Sequence, residues 1–260
     1  MNTITEELLL LHATGVLAAT EAPAKLQTED TGKILEKAIC DAYETPFDGP
    51  FPYSQEAVDK LTPRLKRLRD DNMFPMCYHT ASKGAQYDFT AVENSSRHLS
   101  AKSNKKKGGK VAPQVVGQSH PQKFCQIISN GSVDYTTPEN LKKYIQENIA
   151  TIMPTLWNYT FDSPIVYYVR DTDEIRFITP ASVGNEGAIN WSAFQYSWTR
   201  SYDKWTNSSS LRVHIPGKNE KEETIMEFQF HTKNRQNMAV RWCIEKVLVL
   251  FADYFNIVSL

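Results

Sequence analysis

The spacing of apolar residues changes partway along the chain. Up to about residue 70 it has the three-to-four-residue period of amphipathic helices. Leu8 to Leu17 forms one such segment. "TEDTGKILEKAICDAY" predicts a second, capped at Asp30 or Thr31, with Ile34, Leu35, Ala38, Ile39 and Ala42 along one stripe. "SQEAVDKLTPRLKRLRDD" predicts a third, with Ser54 as its cap and Pro63 as a point of kinking.

Beyond these helices the segments shorten and fill with aromatic and β-branched residues. "MCYHT", "YDFTAV" and "RHLSAKS" read as strands, with "VENSSR" as the turn between the last two. "SHPQKFCQIISN" and "TPENLKKYIQENIATIM" read as helices, the second capped by Thr137 with Glu139 in its first turn. "PIVYYVRDTDEIRFITP" predicts a hairpin, and "SSLRVHIP" and "ETIMEFQFHT" two more strands. "NMAVRWCIEKVLVLFADYF" predicts a closing helix that buries Val240, Ile244, Val247, Leu248 and Phe251. Helices, then a mixed, hairpin-built sheet, then helices again predict an α/β (α+β) fold, a mixed β-sheet flanked by helices. No internal repeat or long linker interrupts the pattern. We therefore expect one domain over residues 1–260: a helical part at 1–72, a core at 73–135, and a sheet extension with recognition elements at 160–260.

Composition narrows the class. The 41% hydrophobic and 23% charged fractions are those of a soluble globular chain, and no apolar run reaches the roughly 20 residues of a membrane span. The opening residues carry Glu6 and Glu7 and no basic n-region, so they read as an amphipathic helix and not a signal peptide. Cys40, Cys77, Cys125 and Cys243 lie far apart without a CxxC pair, which argues against structural zinc and for a reduced, cytoplasmic protein. The net charge of -1 argues mildly against a nucleic-acid binder. The distribution reverses that argument, because Lys102, Lys105, Lys106, Lys107 and Lys110 crowd into nine residues. Such a run is ordinarily a solvated loop, so its neighbours decide its meaning.

Those neighbours are Asp88, Ser100 and Lys102. If residues 88–92 and 97–102 are antiparallel strands, Asp88 approaches Ser100 and Lys102, which share a face because strand side chains alternate. A carboxylate beside a lysine suits metal-assisted phosphodiester hydrolysis. The carboxylate holds Mg²⁺, the metal activates water, and the lysine orients it. That use requires the Asp88 and Lys102 side chains to stand on one face, roughly 4 to 7 Å apart. The lysines that follow would neutralise phosphates, and Gly108 and Gly109 would let backbone N–H groups approach them.

The stretch resembles the PD-(D/E)XK nuclease motif: an Asp on one strand, an acidic-x-Lys triplet on the next, and a helix carrying a Glu upstream. The matching pieces are Asp88, then Ser100-Ala101-Lys102, with Glu36 on "GKILEKAI" and Gln118, or Gln114, for the glutamine that often follows the lysine. The layout resembles a type II restriction endonuclease, most strongly over residues 31 to 130. Two departures stand out. Tyr87 occupies the usual proline position, and Ser100 replaces the second carboxylate. Glu36, or failing it Glu93, is then expected to supply that acid.

The resemblance implies a restriction-endonuclease-like core and Mg²⁺ held by Asp88 and Glu36. It also implies site-specific cutting of double-stranded DNA to leave 5′-phosphates, and a bacterial source. A cognate DNA methyltransferase would be a genetic, not a physical, partner. Symmetric sites favour a homodimer. DNA contacts are expected at Lys105, Lys106, Lys107 and Lys110. In "HTKNRQN", Lys233, Asn234, Arg235, Gln236 and Asn237 include the residue types that read base edges. Arg200, Lys204 and Arg212 add to this set.

The alternatives are a non-catalytic DNA- or partner-binding domain, or a repair or RNA nuclease of the same superfamily. Other chemistries lack their residues. The "HTK" at His231 opens an HxK phosphodiesterase motif, but Met238 stands where its Asp belongs. No P-loop, GxGxxG, GxSxG or metal-spaced histidine pair occurs.

Overall fold

A computed structural model describes residues 28–81, 85–113, 115–134, 137–181, 189–200, 208–231 and 237–260; for Thr28, Glu29, His231 and Asn237 it describes the backbone alone. Helix α1 (Thr28–Ala42) buries the stripe read from its sequence: Ile34, Leu35, Ala38, Ile39 and Ala42 are all at most 3% exposed. Each large aliphatic side chain so buried contributes about 1.5–3 kcal/mol of transfer free energy. The described part of the helix already includes Thr28 and Glu29, so Asp30 and Thr31 lie within it and do not cap it. Helix α2 (Gln55–Leu65) is capped by Ser54, whose hydroxyl accepts from the Ala57 N–H at 3.2 Å. It carries Pro63 internally and gives way at Lys66 to the short α3 (Arg67–Asp70).

Six strands form the central sheet, in the order β1 (Cys77–His79), β2 (Phe89–Ala91), β3 (His98–Asn104), β4 (Ile165–Val169), β5 (Glu174–Pro180) and β10 (Phe255–Ser259). β3 and β4 run parallel and the other neighbours antiparallel, so the sheet is mixed. All five residues of β4 are buried, because both faces of the sheet are covered. Val166 and Tyr168 face α1 and α2; Ile165, Tyr167 and Val169 face the opposite core.

That opposite core is built from α4 (Pro121–Ser129), α5 (Pro138–Glu147), α6 (Ile149–Phe161), α7 (Ile244–Leu250) and a second, antiparallel sheet. The second sheet orders β6 (Gln195–Trp198), β7 (Ser208–His214), β8 (Glu223–His231) and β9 (Asn237–Trp242). Trp157 sits among Phe161, Trp191, Trp242 and Phe251, and the buried Trp242 indole donates to the Thr160 hydroxyl at 2.9 Å. Val111, Gly117 and Ser119 lie along β9: Trp242 and Val111 exchange backbone hydrogen bonds, Val240 donates to Gly117 and Met238 to Ser119.

The α+β reading and the mixed, helix-flanked sheet stand. Two boundaries differ from expectation. The segment at 138–161 is two helices separated at Asn148, not one. The closing segment is strand β9, helix α7 and strand β10, so Val240 is buried in a strand and not in a helix. β8 supplies the reason: Met226 to His231 need a hydrogen-bonded partner, and Asn237 to Trp242 satisfy them residue by residue. Among the described residues no helix is long and apolar enough to cross a membrane.

Candidate active site

β2 and β3 pair with Phe89 opposite Leu99, which brings Asp88, one residue earlier, to the side of Ser100. There the Asp88 carboxylate takes over from the strand backbone. One oxygen, Oδ2, accepts from the Ala101 N–H at 2.7 Å and from the Lys102 ammonium at 3.0 Å. Asp88 is fully buried, and the Lys102 side chain is 11% exposed. The two side chains therefore meet on one face, as a direct ion pair closer than the spacing expected for groups sharing a metal. Ser100 is buried beside them and its N–H donates to Pro164.

Lys102 opens into a cleft of about 990 Å³ that α1, β3, the 105–118 segment and β9 enclose. Among the described residues its charged lining is Lys33, Lys102, Lys105, Lys106, Lys110 and Arg241, with Glu36 as the acid. Even with Lys33, Lys102 and Lys110 paired to Glu36, Asp88 and Glu227, cations prevail among the described residues here, so the cleft is cationic in a chain whose net charge is -1. Gln118, exposed, lines the same wall.

Glu36 projects from α1 into this cleft and is 8% exposed. Its Oε2 accepts from Lys33 at 2.7 Å and meets His79 Nε2 at 3.2 Å. His79 comes from β1 and stacks on Phe47, with ring centroids 4.7 Å apart. Its Nδ1 accepts from the Asp48 N–H, which leaves Nε2 as the donor toward Glu36. Burial pushes the Glu36 carboxyl up, but the hydrogen bonds from His79 and Lys33, with the Lys33 charge, outweigh it and hold the carboxyl below its ordinary value. Sequence reasoning missed His79 because its value lies in contact with Glu36, 43 positions earlier.

The lysine run divides. Lys105, Lys106 and Lys110 line the cleft, and Lys110 is anchored to the buried Glu227 at 3.1 Å. Lys107 turns the other way, toward Glu174 at 3.9 Å. Gly109 sits tight against Asn104, where an added Cβ would lie 2.7 Å from the side chain. The Gly109 N–H closes the turn onto Lys106 O, so it is not open to a phosphate as expected.

Glu93 lies at the exposed β2–β3 turn, paired with Arg97, and does not line the cleft. Tyr87, at the position of the motif's proline, stacks on His98 and hydrogen-bonds Asp162. Arg200 lies just past β6 and Arg212 on β7; neither lines the cleft, and Arg212 pairs with Glu222 at 3.8 Å. Lys204, Lys233, Asn234, Arg235, Gln236, Gln114 and the Leu8–Leu17 helix lie outside the described residues, as does the side chain of Asn237. The four cysteines are buried and unbridged, and burial raises the Cys40 and Cys77 thiols to about 12, which leaves them protonated.

The carboxylate oxygens present fit a hard, hydrated cation. Among the described residues no three His, Cys, Asp or Glu side chains gather closely enough to bind an ion by themselves. Mg²⁺ does not need such a cage, because it keeps several waters and takes one or two carboxylates. The carboxylates present are Glu36, which lines the cleft, and Asp88, whose Oδ2 is held by Lys102 and the Ala101 N–H.

An α+β fold with a buried Asp–Lys pair at a cationic cleft is the class of architecture that these elements define. The chain is 38% identical over 243 residues to the type II restriction enzyme CviAII of Paramecium bursaria Chlorella virus 1. The match covers 90% of this chain and 64% of that enzyme, so the chain spans less than two thirds of the relative's length. No family model matches the chain, and no solved structure matches it.

Proposed function

We propose that the chain is a Mg²⁺-dependent, site-specific endonuclease of double-stranded DNA, acting as a type II restriction enzyme. The observation that carries this is the 3.0 Å contact of Lys102 with the buried Asp88 at the edge of a cationic cleft. The similarity to a type II restriction enzyme over 90% of the chain supports it.

The residues divide the work. The lining lysines, Lys33, Lys105 and Lys106 among them, attract the DNA backbone. Asp88 and Glu36 would hold Mg²⁺, which when bound polarises the phosphate and lowers the pKa of water. Lys102, fixed by Asp88 at one end of its reach, orients the attacking water and stabilises charge developing on the phosphate. Gln118 lies where it can hold water or phosphate at the mouth. His79 and Lys33 keep Glu36 ionised and fixed in orientation. Cutting at the 3′ oxygen leaves a 5′-phosphate. Base reading falls to Lys233 through Asn237, and a symmetric target implies a homodimer. A methyltransferase protecting the same site would accompany it genetically. The viral source of the relative gives no support to a bacterial origin.

The test is incubation with plasmid and Mg²⁺. Discrete fragments that disappear with chelator and with Lys102→Ala support the proposal. Intact plasmid, or undiminished cutting by Lys102→Ala, rejects it. Tight duplex binding without cutting would identify the non-catalytic binding domain instead.

A further inference from the structure

One wall of the cleft comes from the second sheet and carries a cation that the nuclease motif does not include. Arg241 on β9 lies directly across from Glu227 on β8, so their side chains share a face of that sheet. Opposite charges in that register ordinarily pair. Here Glu227 is 9% exposed and bound by Lys110 at 3.1 Å. Lys110 is brought in by the backbone bridge between its neighbour Val111 and Trp242, the residue after Arg241. Among the described residues, Arg241 is left with no acceptor, and it is partly buried at the cleft wall. A guanidinium withdrawn from water without a partner is costly, and an anion entering the cleft removes that cost.

We propose that Arg241 is a backbone-phosphate clamp, binding a DNA phosphate from the part of the cleft lining that the second sheet supplies. The inference rests on the nuclease reading and adds to it a contact from the second sheet. With Lys105 and Lys106 on the connecting loop, it gives the duplex cationic contacts on both sides of Lys102. Because Lys110 neutralises Glu227, the Arg241 charge is presented to the ligand and not to its own sheet.

The experiment uses the full chain and a short duplex oligonucleotide carrying a site that the wild type cleaves, with chelator present so that binding alone is read. Arg241→Ala is expected to bind about ten- to a hundred-fold more weakly, as loss of a charged hydrogen bond implies. Its slope of log affinity against log salt should fall by about 0.9, as for one lost phosphate contact. Arg241→Lys should keep most of the slope, since a point charge still neutralises phosphate. Arg241→Gln keeps the aliphatic stem without the charge and should match Arg241→Ala, which gives the reading if the Ala variant loses its circular-dichroism signal. Wild-type slope and affinity in the Ala or Gln variant overturn the clamp alone. A wild type that neither binds nor cuts duplex overturns the nuclease reading and the clamp with it.

Discussion

Lys102 and the Ala101 N–H converge on the same oxygen of Asp88, at 3.0 and 2.7 Å. The carboxylate thus ends a strand pairing and positions an ammonium with one atom. Removing Lys102 should therefore damage both fold and activity. Loss of one member of a buried pair costs about 3–5 kcal/mol, and loss of a charge-stabilising donor slows the reaction about 10²–10³-fold. Lys102→Met should lower the unfolding free energy and the cutting rate together. The double variant Asp88→Asn/Lys102→Met should regain most of the stability, because Asn still accepts from Ala101, and none of the activity. Urea unfolding and plasmid cleavage on the three proteins separate the roles. A double variant as unstable as the single would contradict the pairing.

Glu36 should govern the acid limb of stability. Its carboxyl lies below the ordinary value of 4.5 in the folded chain. A carboxyl lowered by folding stabilises fully above its unfolded value and loses that contribution as pH falls through its folded value. The wild type should lose stability from about pH 4.5 downward. Glu36→Gln should start less stable near neutrality and decline less steeply below that point. Parallel acid limbs, measured by chemical denaturation at a series of pH values, would contradict the hydrogen-bond assignment.

The lysine run should split in its salt response. Lys105→Ala and Lys106→Ala each remove a charge from the cleft and should each reduce the salt slope of duplex binding by up to about 0.9. Lys107→Ala should leave the slope unchanged, since Lys107 faces Glu174 on the far side. Equal effects at all three positions, read by fluorescence anisotropy, would show that the loop rearranges on binding.

Gly117→Ala should be among the most damaging small changes. An added Cβ would lie 2.0 Å from the Pro113 carbonyl, so the backbone must shift. Overpacking of this kind costs roughly 1–3 kcal/mol. The melting temperature should fall and cutting should weaken, since Pro113, Val115 and Gln118 line the cleft. An unchanged melting curve would mean that the turn accommodates the methyl group.

Much of this site was legible in the sequence because its parts are local. Asp88 and Lys102 lie on adjacent strands joined by a short turn, so period-two alternation was enough to bring them together. Glu36 came from the resemblance to the nuclease motif, which asks for a Glu on the upstream helix. His79, Arg241 and Glu227 were not, because each acquires its role from contacts between elements distant in sequence. β9 was misread because Met238 to Trp242 runs on without a turn signal into the apolar face of α7, and a continuous apolar run fits a helix or a strand equally well. β6 and β10 are half-exposed strands with weak alternation, and only their neighbours define them.

The backbone bonds from Val111, Gly117 and Ser119 to β9 also have a colloidal consequence. They occupy hydrogen-bonding groups that a terminal strand would otherwise offer to another molecule. The cleft wall is thus also the guard on an aggregation-prone border. Variants that loosen residues 111–119 should precipitate on storage before they unfold, so poor solubility would be their earliest symptom.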